Sequence, residues 1–502
     1  MVNSPFPRLQ EPLIEKNSFR EAAYAYEPIM GFIEAKPLLP VPILPERPEW
    51  VEMYWRAWEL AWLHLKRPQS ESNLVANFIG TGLHPHIFMW DSAFMVLFGQ
   101  YGRRAFDFVG TLNNFYTKQH DDGFICREIV METGADFFLP FDPNGTGPNI
   151  LAWTEWRYFR ATGDDSRLAQ VFWPLMGLHR WYRQHRTWQT GLYWATGFSS
   201  GMNNQPRVPD SSLHHRHWAW SDATFQAILN AYSLRQMAVA LGELKLVPEL
   251  ANERSALIQR VNEEMWNDRD QFYQDVDKNG RFSRVKSIGA YWGLLDRDLI
   301  PAKRLDPFIQ HLRDPWSFNL PHRIPSQSAD SDGYNANSGN RWRGGVWPST
   351  NYMVLKGLRD HNYDVLAHDI ALNHLETVWQ VYQRTDTFWD HYAPETANYG
   401  DPAIADYVGW SGLTPISILL EDVIGFSTDW PLRQVRWDRR LKNAGEYGVH
   451  NYPLGQGGTA DIVGDETKVT VKTDVNFTLT IIDVDQTIKA PIATGETEID
   501  LT

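Results

Sequence analysis

The side chains with most chemical reach in this 502-residue chain sit in short runs that mix tryptophan with carboxylates, amides and arginines. Trp90 and Asp91 are adjacent in HPHIFMWDSAF; Arg127 and Glu128 follow in DDGFICREI; Trp153 and Glu155 lie in NILAWTEWRYF. Further on come Asn203, Gln205 and Arg207 in TGFSSGMNNQPR, Trp342 and Arg343 in RWRGGVWPSTNYMV, Asp390 and Glu395 in TFWDHYAPETANYG, and Trp410 in GWSG. Aromatic faces stack on the apolar faces of pyranose rings, and a carboxylate accepts two sugar hydroxyls at once, so these pairings suit carbohydrate chemistry. Each has a plainer reading beside it. Asp91 and Asp390 could be helix caps, Trp153 a core residue, and Arg127 with Glu128 a surface ion pair.

Helices must position these residues, because apolar side chains recur at three- and four-residue steps through most of the chain. The pattern predicts helices over 50–66, 90–99, 104–119, 151–162, 168–181, 220–241, 247–265, 301–312, 346–358, 362–384 and 412–423. Helices joined in pairs by loops suit an all-α fold, an (α/α)6 barrel, rather than a parallel sheet. In such a toroid the loops at one end converge on a central funnel, and the runs above lie at loop-to-helix junctions. Three segments follow: a Pro-rich irregular stretch over 1–45, the catalytic barrel over 46–430, and a small antiparallel β extension over 431–502, where apolar and polar residues alternate with Thr and Val enrichment.

The same runs carry a family resemblance over about 80–425. They resemble inverting α-glycoside hydrolases of the GH63 and GH37 type, which include mannosylglycerate, glucosylglycerate and trehalose hydrolases. TGFSSGMNNQPR is similar to that group's S-G-M-D-N-x-P-R loop, HPHIFMWDSAF to its H-x-W-x-W-D-x-A-F segment, RWRGGVWPS to its W-R-G-x-V-W-P helix opening, TFWDHYAPET to its F-x-E-Y-Y-x-P-x-T-G segment, and GWSG to its S-W-T-A helix start. The resemblance implies a small α-glucoside or α-mannoside as substrate. It gives Asn203 the general-acid position, Asp390 the general base with Glu395 as competitor, and Trp90, Asp91, Arg127, Glu128, Trp153, Gln205, Arg207, Trp342, Arg343 and Trp410 the substrate contacts.

The departures matter as much as the matches. The family's acid is an Asp, and an amide has no proton to give at neutral pH, so chemistry should be severely slowed. Two explanations stand: an engineered acid-to-amide change, or natural divergence towards a sugar-binding protein or a different acid. The base is Asp390 rather than Glu, the Glu that opens the acid loop is Ser199, and the Gly-rich signatures of trehalases are missing, so trehalose specificity is not implied. A catalytically silent sugar-binding protein is the alternative function; a lyase or epimerase on the same barrel is a third.

Bulk properties narrow the field. A net charge of −14 argues against nucleic acid, whose phosphates demand a basic surface. No apolar run reaches the roughly eighteen residues that span a bilayer, and the start MVNSPFPRLQEP lacks a signal pattern, so a cytoplasmic location is expected. Cys126 is the single cysteine, which excludes an internal disulfide. DVDKNG opens like a calcium loop but has Lys286 at the twelfth position, and reads as a hairpin turn. His214, His215 and His217 lack companion ligands with zinc spacing. No metal or cofactor is implied, and the partner is a small oligosaccharide or glycoside.

Overall fold

A computed structural model describes residues 11–501 apart from 83, 442, 484 and 485, so the first ten residues of the expected irregular segment lie outside the described ones. Ten α-helices of eight or more residues carry the fold among the described residues. They are α1 (Pro48–Leu63), α2 (Met89–Gly99), α3 (Gly110–Thr117), α4 (Leu151–Thr162), α5 (Asp165–His185), α6 (Ser221–Ala240), α7 (Val247–Glu264), α8 (Ala302–Gln310), α9 (Pro348–Asp360) and α10 (Asp364–Thr385). In α1, Trp50, Met53, Tyr54, Ala57, Trp58 and Ala61 face inward at three- and four-residue steps, and Pro at the first turn costs no hydrogen bond. Short turns pair the helices. Gly163 ends α4 in the left-handed region at φ 65°, and the Asp164 carboxylate accepts from the Arg167 amide to start α5.

The predicted 412–423 helix departs from α geometry, with a 3-10 turn over Trp410–Leu413 and a π-helix over Thr414–Ile424, buried along its whole length. A 3-10 segment, Ile288–Leu295, is also fully buried. The helices form an (α/α)-type barrel whose core is strongly aromatic: Trp58 meets Trp62, Phe98 and Phe108 with ring centroids 5.8–6.0 Å apart.

The chain is nevertheless not all-α. Nine strands build two further sheets: β1 (Val41–Ile43), β2 (Phe426–Asp429), β3 (Gln434–Asp438), β4 (Tyr447–Leu454), β5 (Gly458–Gly464), β6 (Lys468–Thr473), β7 (Phe477–Ile482), β8 (Thr487–Ile492) and β9 (Gly495–Asp500). One sheet runs β1-β4-β5-β6-β9 and the other β2-β3-β7-β8. The expectation of a purely antiparallel extension is corrected here: β3 pairs with β7 in parallel, Val435 opposite Leu479 and Trp437 opposite Ile481. Alternation along a strand tells which face is buried, but the direction of the partner depends on how the chain returns. β1 comes from the Pro-rich leading segment and pairs antiparallel with β4.

Ion pairs fasten these sheets to the barrel. Arg359 of α9 reaches Asp422 at 2.6 Å and Asp438 of β3 at 2.9 Å, and Arg160 of α4 reaches Asp429 of β2 at 2.6 Å. A cavity of about 410 Å³ remains between them, lined by Arg157, Arg297, Lys356, Asp360, Asp364 and Arg436 among others. It shares no lining residue with the site described next.

Candidate active site

Three helices, α2, α6 and α9, start without a side-chain cap, each entered from an extended aromatic residue: Phe88, Trp220 and Trp347. Phe88 and Trp347 line a cavity of about 330 Å³, together with Trp90, Asp91, Arg127, Phe198, Asn203, Arg341, Trp342, Asp390, Ile404, Tyr407 and Trp410. Apolar walls with a few convergent polar groups are the ordinary make-up of a small-molecule site. The loops of 196–207 and 387–400, remote in sequence, thus open onto one space.

Asp390 is held by its neighbours rather than capping a helix. Its Oδ1 accepts from the Ile404 amide and from His391 Nδ1, both at 2.9 Å, and its carbonyl accepts from Trp410 Nε1 at 2.8 Å. The loop is anchored where Tyr392 and Val346 exchange backbone hydrogen bonds. His391 lies flat under Trp347, which in turn stacks on Trp342. A Cβ at Gly400 would fall 2.2 Å from the His391 ring, so only glycine admits that close approach. Glu395 is exposed, accepts from the Tyr334 hydroxyl at 3.1 Å and does not line the cavity.

The 196–207 loop is built on an internal bond network: the Thr196 amide donates to Ser199 Oγ at 2.8 Å, and the Ser199 amide to Thr196 Oγ1 at 3.0 Å. Asn204 ties the loop to the 340–342 segment, donating to the Asn340 carbonyl at 2.8 Å and accepting from the Trp342 amide at 3.0 Å. Asn203 Oδ1 is buried with no hydrogen-bond partner among the described residues. Gly201 takes φ 76°, a conformation that favours glycine, and lies in ordinary contact with the Trp90 indole.

Asp91 sits in the first turn of α2, whose cap position is Phe88, so its side chain is not the helix cap. The Tyr407 hydroxyl donates to its Oδ1. Burial pushes the Asp91 carboxyl up to about 7 against the smaller opposing effects of that hydrogen bond and of Arg127. The same burial, reinforced by Asp91, holds the Tyr407 phenol well above its ordinary value.

Of the residues expected to contact substrate, Trp90, Asp91, Arg127, Trp342 and Trp410 line the cavity with Asn203 and Asp390. The others do not. Arg207 is 1 % exposed and clamped between Asp222 and Asp275, at 2.7 and 2.5 Å. Gln205 bridges Ser287 and the Ser326 carbonyl, both at 2.7 Å. Glu128 pairs with His86 at 2.5 Å, and Trp153 packs 5.5 Å from Trp292 in the core. Arg343 turns to the Gly333 carbonyl, leaving Arg341, two residues earlier, on the cavity wall. Sequence reasoning missed Arg341, Trp347 and Tyr407. The first two were within the quoted RWRGGVWPS run, whereas Tyr407 carried no signal.

Among the described residues no group of three or more His, Cys, Asp or Glu could hold a metal ion, and no helix is long and apolar enough to cross a membrane. The DVDKNG segment is a turn: the Asp277 amide donates to the Arg281 carbonyl and its Oδ1 accepts from the Asn279 amide.

Residues 50–411 match the model of the mannosylglycerate hydrolase MGH1-like glycoside hydrolase domain. The chain belongs to this family. It is 24% identical over 392 residues to a mannosylglycerate hydrolase of Thermus thermophilus, covering 63% of this chain and 90% of that one. It is 27% identical over 296 residues to a probable mannosyl-oligosaccharide glucosidase of Schizosaccharomyces pombe, spanning only 34% of that protein's length. The crystal structure of the GH63 mannosylglycerate hydrolase from Thermus thermophilus in complex with glucose superposes with a TM-score of 0.57 at 20% identity, over 72% of this chain and 98% of that one. That likeness concerns the fold. The MGH1-like barrel thus accounts for most of the chain, and the sheets after Phe426 lie beyond the matched segment.

Proposed function

We propose that this MGH1-like chain is an inverting hydrolase of a small α-glucoside or α-mannoside, with Asp390 as general base and an amide, Asn203, at the general-acid position. The observation that carries the reading is the convergence of the Asn203 and Asp390 loops on one aromatic-walled cavity. In the inverting reaction a water enters from the face opposite the leaving group, which asks for roughly 6.5–9.5 Å between the two catalytic groups. Asp390 suits the base: hydrogen bonds fix Oδ1, while Oδ2 has no protein donor among the described residues and can take the water's proton. Trp342, Trp347 and Trp410 offer ring faces and edges to the sugar. The names of the relatives, a mannosylglycerate hydrolase and a mannosyl-oligosaccharide glucosidase, support the substrate class. The division into a leading segment, a barrel made of six helix pairs and a β unit belongs to the same reading, with the β unit beginning at Phe426 rather than 431 and taking its strand β1 from the leading segment.

Asn203 also favours a second reading, a sugar-binding protein that does not cleave. One experiment separates them. The chain is offered α-glucosyl and α-mannosyl fluoride, whose leaving group needs little protonation, and the product is followed by NMR. Release of fluoride with the β-anomer formed first is the expected result. A chain that binds glucose or mannose yet releases no fluoride is a binding protein.

A further inference from the structure

We infer that the cavity between the barrel and the β-sheets binds a small phosphorylated sugar, its phosphate held by Arg103, Arg157 and Arg297 and its hydroxyls by Asp360. The inference goes beyond the hydrolytic reading and concerns a second place in the fold. Helices α2 and α9 have their leading ends on the cavity of Asn203 and Asp390, at Trp90 and Trp347. Their trailing ends, at Gln100 and Asp360, line this one. The 13 residues of α9, rising about 1.5 Å each, set the two cavities roughly 20 Å apart.

In a chain of net charge −14, cations outnumber carboxylates along this wall. Several of them are spent on fastening the sheets. Lys356 lies 2.8 Å from Glu421 and 2.6 Å from Asp422, Arg160 pairs with Asp429 at 2.6 Å, and Arg436 reaches Asp364 at 3.3 Å. Three guanidiniums are left with charge to offer. Arg103 donates to main-chain carbonyls alone, to Gln100 at 2.7 Å and to Gly455 at 2.6 and 3.1 Å, and burial works against its charged form. Arg297 is exposed and makes neither a hydrogen bond nor an ion pair among the described residues. Arg157 gives Nη2 to the Tyr352 hydroxyl at 3.1 Å and to Glu421 at 3.6 Å, a carboxylate that Lys356 already holds more closely. Its Nε is buried with no acceptor, and Nη1 has none among the described residues.

A buried cation without a counter-ion is costly, and an incoming anion offsets that cost. Several guanidinium forks on one space suit a phosphate, whose oxygens accept parallel N–H···O bonds and whose second charge a carboxylate lacks. Asp360 selects the rest of the ligand. No protein donor bonds its carboxyl among the described residues, and burial raises it against the attraction of Arg157, Arg297 and Arg160. An open carboxylate beside the guanidiniums repels a bare anion but accepts hydroxyls, so it favours a phosphate ester that brings hydroxyls with it. From the sheets, Ser427, Gln434 and Thr480 add side chains that make no hydrogen bond among the described residues. A volume of about 410 Å³ falls within the roughly 300–1,000 Å³ of small-molecule sites.

The test is calorimetric titration of the full chain at low ionic strength with glucose 6-phosphate, beside inorganic phosphate and glucuronate. Glucose 6-phosphate should bind once per chain, and the other two at least about tenfold more weakly, each lacking one half of the recognised chemistry. Arg297→Glu reverses an exposed charge on the barrel side and should weaken glucose 6-phosphate by about tenfold or more. Thr480→Asp, which sets a carboxylate on the sheet side, should do the same and serves if Arg297→Glu does not fold. Arg341→Ala, on the other cavity, should leave this affinity within about twofold. Glucose 6-phosphate should also raise the melting temperature of the unmodified chain and not that of Arg297→Glu. An unmodified chain that does not bind glucose 6-phosphate overturns the inference, as does binding that Arg341→Ala abolishes and the other two variants spare. Inorganic phosphate bound as tightly as glucose 6-phosphate overturns the sugar, and glucuronate bound as tightly overturns the phosphate.

Discussion

The indole of Trp347 lies on the imidazole of His391 with 4.4 Å between ring centroids and 8° between planes. His391 is fully buried and hydrogen-bonds the Asp390 carboxylate, so the stack sets where that carboxylate points. His391→Ala should lower kcat on an α-glycosyl fluoride by up to about a hundredfold, with KM changed little, because a small misplacement of a catalytic group costs that much. A rise in KM with kcat unchanged would show His391 acting on binding instead.

Replacing Asp390, the proposed base, should do more. Asp390→Ala should abolish turnover while sugar affinity, read by calorimetry, stays near that of the unmodified chain, since the group acts on water. Glu395→Ala should be far milder, as that side chain is exposed and off the cavity wall. A larger loss at Glu395 would move the base there.

Asn203→Asp should raise kcat on methyl glycosides by roughly 10²- to 10⁴-fold, the usual contribution of a positioned proton donor, with little gain on the fluoride. Steady-state rates on the two substrates check this.

Asp91 links the site to stability through pH. Its folded value is raised from 3.8 to about 7, so the folded state favours the protonated form. Below about 4 the carboxyl is protonated folded or unfolded and contributes nothing. As pH rises from about 4 to 7 the unfolded chain ionises more readily, and stability falls; above 7 the loss is complete. Thermal unfolding of Asp91→Asn should therefore lack this decline, and the difference between the two melting curves should grow over that window.

Arg207 tests the division between fold and site. Asp222 and Asp275, which it pairs, are each 1 % exposed, and Arg207→Ala leaves both carboxylates buried without their cation. The expected cost is about 3–5 kcal/mol by chemical denaturation, and the folded fraction should keep its KM. A selective rise in KM at unchanged stability would instead make Arg207 a substrate contact.

Much of this was legible in the sequence. The three- and four-residue spacing in 50–66 and 151–162 gave helices because a buried face on a 3.6-residue period admits few other patterns. The quoted runs placed Trp90, Asp91, Asn203, Trp342, Asp390 and Trp410 at or near loop-to-helix junctions, and all six line the cavity. Periodicity says which face of an element is buried, but not which element it meets. Tyr407 donates to Asp91 across 316 positions, and no local pattern could pair them. Arg207 and Gln205 were polar residues beside the critical amide, and only packing turned them away from the cavity into buried struts. The parallel pairing of β3 with β7, the retreat of Glu395 to the surface and the exchange of Arg343 for Arg341 were decided likewise. Residue type fixes what a side chain can do, whereas its neighbours and its access to solvent exist only once distant segments have packed.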